Sequence, residues 1–186
     1  MPTDELIAEI QEAADRHLEA SSTLIAVHLF AAGCREVCAA IGATAGYLVG
    51  SRAREPSKAS VLRFAERYLP ELGRERLDGC ALADHPSRPV ASCAELVCEA
   101  WRGGLLHDGE REGGVRCVDD RGRWMLRIEP DGAVALNAIP FQAQFERGLR
   151  HYLKDLRRDP AARRLAARRS AFLARPMLRV LPGGRG

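Results

Sequence analysis

The chain has 186 residues, 46% of them hydrophobic and 28% charged, and a formal net charge of +3. This is enough apolar material for one core, and the scarcity of aromatics beside abundant alanine, leucine and arginine favours helices over a β-sandwich. Six cysteines without a CxxC pair, and no apolar leader, exclude a disulfide scaffold and lead us to expect a cytoplasmic protein with reduced thiols.

Thr3 is expected to open a first helix, with Asp4 and Glu5 in its first turn favouring the dipole. Leu6, Ile7, Ile10, Ala13, Ala14 and Leu18 supply its apolar side, and it is expected to end near Ser21-Ser22. Residues 23–48 are apolar almost all round, the profile of a helix central to a bundle, with Gly33, Gly42 and Gly46 allowing close neighbours. Arg35 and Glu36 in its middle argue against a membrane span, so no membrane partner is expected. Cys34 and Cys38, at i and i+4 with His28 nearby, read as small buried side chains, and no metal is expected there.

A basic connection at 50–56 leads to Ser57, a cap for a helix through Val61, Phe64 and Tyr68. Residues 70–82 predict a short helix anchored by Leu72 and Leu77, and the prolines of Asp84-His85-Pro86-Ser87-Arg88-Pro89 predict a loop. Ser92, with Glu95 three positions on, predicts the start of a further helix carrying Leu96, Val97, Ala100 and Trp101. After Gly109 the period changes to two, through Val115, Cys117, Trp124, Leu126, Ile128, Val134 and Leu136. With turn signals at Asp119-Asp120-Arg121-Gly122 and Glu129-Pro130-Asp131-Gly132, residues 114–138 predict an antiparallel hairpin or three-stranded meander.

The next helix is expected from Pro140-Phe141, with an apolar face of Phe141, Phe145, Leu149, Tyr152, Leu153 and Leu156. Asp159-Pro160 ends it and starts a last helix over 161–173; residues 176–186 are expected to be disordered. Arg147, Arg150, Lys154, Arg157, Arg158, Arg163, Arg164, Arg168 and Arg169 make this end of the chain strongly basic. Such a face attracts nucleic-acid phosphates, and Arg147, Arg150, Lys154, Arg157 and Arg158 are the candidate RNA contacts. There is no internal repeat, Walker loop, dinucleotide-binding glycine fingerprint or Gly-x-Ser-x-Gly elbow, which removes most common enzyme classes.

The remaining chemistry lies in Arg102-Gly103-Gly104-Leu105-Leu106-His107, where a helix runs out. Histidine exchanges a proton near neutral pH and arginine clamps phosphate with two donors, a combination suited to phosphodiester chemistry without metal or cofactor. On an unbroken helix five positions would separate the two side chains by about 140°. Convergence therefore needs a break at Gly103-Gly104 or a second copy of the chain.

This Arg-x4-His segment, preceded by its apolar helical pattern, resembles the motif of the HEPN superfamily. The resemblance implies a mainly α fold, a helical bundle of four to six helices with a small antiparallel β-insert after the motif, in one domain over 1–175. It also implies a homodimer that joins two motifs, and cleavage of RNA by its own 2′-hydroxyl in a toxin-antitoxin or phage-defence setting. Arg102 would hold the phosphate and His107 would move the proton, with Glu99 or Asp108 orienting the imidazole. Gly103 stands where the family usually has a polar residue. A non-cutting module that binds RNA, a nucleotide or a protein partner such as an antitoxin is therefore the alternative.

Overall fold

A computed structural model describes residues 1–73, 92–108, 114–120, 122–129 and 133–175. The expected segments at Leu77, at 84–89 and at 176–186, and the centre of the Glu129–Gly132 turn, lie outside these. In chain order the elements are α1 (Thr3–Ala26), α2 (Phe30–Val49), α3 (Lys58–Tyr68), α4 (Pro70–Gly73), α5 (Cys93–Arg102), β1 (Leu106–Asp108), β2 (Val115–Val118), β3 (Leu126–Ile128), β4 (Val134–Asn137), α6 (Ala138–Arg158) and α7 (Pro160–Leu173). The protein is mainly helical with a small sheet, and has seven helical segments among the described residues where four to six were expected. No described helix is long and apolar enough to cross a membrane.

The nearly unbroken apolar character of α2 puts it at the centre. Cys34, Val37, Ala40 and Ala45 are fully buried, and α2 touches α1, α3, α5, α6, α7, β1 and β2. One hydrophobic cluster runs from Leu6 to Ala166. Within it Phe64 meets Tyr68, Phe145 and Tyr152 with ring centroids 5.2–6.3 Å apart, which joins α3 to the apolar face of α6.

Three helices stop by the same device. In each, a residue just past the helix takes positive φ, and its own N–H and that of the following residue return to carbonyls three and five positions back, the Schellman arrangement. Gly50 (φ 59°) ends α2 and Gly104 (φ 70°) ends α5, as glycines are expected to do. At α1 the left-handed residue is His28 (φ 62°), with its N–H on Ile25 O at 3.0 Å and that of Leu29 on Leu24 O at 2.9 Å. The expected stop at Ser21-Ser22 is corrected: Ser21 is buried and donates its hydroxyl to Gln142 Oε1 at 2.9 Å, so α1 continues past it. His28, expected inside an apolar helix with Cys34 and Cys38, is instead an exposed corner residue.

The N-termini follow the sequence more closely. Ser57 Oγ accepts from Ser60 N, Ser92 Oγ from Glu95 N, and Asp159 Oδ1 from Ala161 N with Pro160 in the first turn. α1 begins at Thr3 as expected, after Pro2, which makes no side-chain cap bond.

The β region departs most from expectation. Among the described residues it has four strands in the order β1-β2-β4-β3, with β1/β2 and β2/β4 parallel and β3/β4 antiparallel. It starts at Leu106, inside the motif. The Asp119–Gly122 turn joins strands that are not neighbours, so it is no hairpin. Its place is fixed by the fully buried Asn137, which donates Nδ2 to Asp120 O at 2.8 Å and accepts Asp120 N–H at 3.3 Å.

Candidate functional site

The sequence motif falls across a helix stop and a strand start. Arg102 is the last residue of α5, and Gly104 N–H and Leu105 N–H return to Trp101 O at 3.2 Å and Ala100 O at 2.7 Å. The glycine pair thus reverses the chain, and His107 becomes the middle residue of β1. Arg102 is exposed and donates to Pro56 O at 3.1 Å, in the connection before α3. Pro56 is seated on Gly42, where a Cβ would lie 2.7 Å from its Cγ. His107 is half-buried against the start of β2: a Cβ on Gly114 would fall 2.6 Å from its Cδ2 and Nε2. The two motif side chains are therefore turned to different elements within one protomer.

The expected supporting carboxylates have other partners. Glu99 accepts Lys58 Nζ at 2.5 Å, beside Glu95 at 2.6 Å. Partial burial lowers the Lys58 pKa, and these two carboxylates outweigh it, so the net shift is upward. Asp108 Oδ1 accepts Ala31 N–H at 2.7 Å, an acid at the positive end of α2. Alternation along β1 puts Asp108 on the opposite face from His107. Arg35 donates to Leu106 O, so this basic residue in an apolar helix fastens β1 to α2.

What faces His107 across the sheet is Arg116, its register partner on β2, followed by Ala135 and Arg127. Sequence reasoning missed these arginines; alternation put Arg116 opposite Val115 and Cys117, but the parallel pairing that sets it beside His107 had no local signal. Glu129 Oε1 accepts from Arg116 at 3.3 Å and from Arg127 at 2.9 Å. Arg127 lies over the Trp124 ring, 4.1 Å from its centroid. Asp120 accepts from Gly122 N and Trp124 Nε1, each at 3.0 Å, and these bonds hold its pKa below the usual carboxylate value.

An accumulation of exposed cation lies on α6. Arg147, Arg150, Lys154, Arg157 and Arg158 are all exposed, and His151, missed in the sequence, lies among them. At about 100° per residue they share an arc of about 120° over about 16 Å of helix. Two neighbouring acids have other partners: Asp155 Oδ2 accepts from Arg67 at 2.9 Å and from the Tyr68 hydroxyl at 2.8 Å, while Asp159 caps α7. Glu71 pairs with Arg147 at 3.4 Å.

On α7, Arg163, Arg168 and Arg169 have backbone partners. Arg168 donates to Gly50 O at 2.8 Å and Val49 O at 2.9 Å. Arg169, only 4% exposed, reaches the carbonyls of Ser51 at 3.3 Å, Ala53, and Arg54 at 3.0 Å. Arg163 donates to Leu156 O at 3.0 Å and Arg157 O at 2.9 Å. Arg168 and Arg163 thus serve the carbonyl-rich ends of α2 and α6, where a cation also opposes the helix dipole, and Arg169 holds the connection after α2.

Among the described residues no group of three or more His, Cys, Asp or Glu is arranged to hold a metal. Cys34 and Cys38 are buried; a hydrogen bond to Cys117 and burial raise the first thiol's pKa, and burial chiefly the second's. No protein-family model, curated protein or solved structure matches this chain.

Proposed function

We propose that this protein is an RNA-binding helical module of HEPN-like type, which holds the phosphate backbone on the exposed face of α6. The observation that supports the reading is the solvent-facing stripe of Arg147, Arg150, Lys154, Arg157 and Arg158, with the nearby Asp155 bonded to Arg67 and Tyr68 and Asp159 capping α7. A stripe of this kind reads charge and not sequence, so binding is salt-sensitive and tolerant of RNA sequence. The test is retention of labelled single-stranded RNA at rising salt by wild type and by the Arg150→Gln/Lys154→Gln/Arg157→Gln variant. Weakened, less salt-sensitive retention by the variant supports the reading; equal retention by both proteins removes it.

A second reading, a metal-independent endoribonuclease, is favoured by the half-buried His107 aligned with Arg116 on the adjacent strand. At the usual strand spacing of about 4.8 Å, an imidazole and a guanidinium in register address a single phosphodiester. The imidazole would move the 2′-hydroxyl proton while a guanidinium stabilises charge gathering on the phosphate. Arg102 would join only from a second copy or after leaving Pro56. Incubation with RNA in EDTA separates the readings. Cutting that vanishes in His107→Ala, and in Arg102→Ala or Arg116→Ala, supports the enzyme; intact RNA that is still retained supports the binder.

A further inference from the structure

A groove runs between α1 and α6 on a part of the surface that the RNA reading uses only at one end. Two adjoining cavities of about 490 and 280 Å³ share Ser22, Gln142 and Glu146 in their walls. On α1 their walls extend from Gln11 to Ala26, which at 1.5 Å per residue is about 22 Å, or four helical turns.

The character of the groove changes along its length. One half is lined by Asp15, Glu19 and Glu146 around Leu18, with Arg150 as the opposing cation. The other half is lined by Ile25, Ala26, Ala143 and Ile139, and Ile139 is 51% exposed. Beyond Ala26 the chain carries Val27 and Leu29, 58% and 48% exposed, on either side of the exposed His28. A groove that is net acidic within a chain of charge +3 repels phosphates, so RNA is not its occupant.

We propose that the α1/α6 groove is a docking site for an amphipathic helix of a partner protein, about four turns long, with lysines or arginines along one edge and leucine or isoleucine at one end. The cations would face Asp15, Glu19 and Glu146, and the aliphatic end would cover Ile25 and Ile139. Helix-in-groove recognition draws affinity from the apolar anchors and orientation from the charges.

The test uses the full chain and two fluorescent peptides of about 16 residues, a length matching the groove. Both carry the same leucines, but one has lysines where the other has glutamates. Fluorescence anisotropy is expected to show the lysine peptide binding at least about tenfold more tightly than the glutamate peptide, the size of effect that complementary charge pairs carry. Glu19→Lys/Glu146→Lys is expected to reverse the preference, and Ile139→Asp to weaken the lysine peptide, with circular dichroism and melting unchanged in both. Binding of neither peptide overturns the proposal, as does lysine-peptide binding that ignores both groove variants. A wild-type dimer in sedimentation that Ile139→Asp dissociates would also overturn it, by making a second copy the occupant.

Discussion

Helices α6 and α7 are consecutive and similarly rich in arginine, yet their cations have different neighbours. On α6 the large apolar face of Phe141, Phe145, Leu149, Tyr152 and Leu156 is buried, which turns Arg147, Arg150, Lys154, Arg157 and Arg158 outward. On α7 the packing residues are small, with Ala162 and Ala166 buried, so the helix comes close to the backbone of α2. A Cβ on Gly50 would lie 2.7 Å from Leu165 O, and one on Gly46 would lie 3.1 Å from Arg169 Nε. At that range the nearest partners for Arg168 and Arg169 are carbonyls. Charge in a sequence therefore marks a binding face only when the helix carrying it is amphipathic enough to hold that charge in water.

The largest expected effect comes from removing Arg169. Burial lowers its pKa, yet it bonds carbonyls of the 51–54 connection, and Arg169→Ala leaves them without their donor. A loss of about 3 kcal/mol is expected in urea or thermal unfolding, with RNA retention by the folded protein unchanged. In contrast, Arg150→Gln/Lys154→Gln/Arg157→Gln should leave stability within about 0.5 kcal/mol and cut RNA affinity tenfold or more near physiological salt.

Conservative exchanges sharpen the contrast. Arg168→Lys keeps the charge but loses the fork that spans Val49 O and Gly50 O, and should cost about 1 kcal/mol. Arg157→Lys on α6 should leave RNA retention unaltered. Where no arginine serves a helix end, the left-handed residue does so. Thus His28→Gly should stabilise the chain by up to about 1 kcal/mol, measured by unfolding, since glycine removes the steric cost of positive φ. The smallest effect concerns Asp120, whose pKa is depressed by hydrogen bonds from Gly122 and Trp124. Its ionised form is favoured by the fold, so that contribution is present above the unfolded carboxyl pKa and is lost as pH falls through the folded one. Acid titration of Trp124 fluorescence, against Asp120→Asn, should show a transition below the usual carboxylate range that the variant lacks.

The helical ground plan was legible because it rests on local signals. Ser57 and Ser92 cap as their positions foretold, Asp159-Pro160 marks the junction of α6 and α7, and the apolar run of α2 marked the centre. The α1 stop was not legible, because the left-handed position holds histidine instead of glycine, and because the serines that looked like a stop are bonded to Gln142. The sheet was misread because parallel pairing of β1, β2 and β4 is a long-range property that period-two alternation does not encode. In the site, the Gly103-Gly104 break was readable, but its consequence was not: it turns His107 toward Arg116, while Arg102 remains with Pro56.

The account rests on α6 being the face that meets phosphate while α7 holds the fold together. The dependence of log affinity on log salt for single-stranded RNA tests this most directly, since each lost phosphate contact lowers the slope by about one. The account predicts a slope smaller by about two to three in the α6 triple variant and unchanged in the folded Arg168→Gln variant. An unchanged slope in the α6 variant, or a fall of about one in Arg168→Gln, would contradict it.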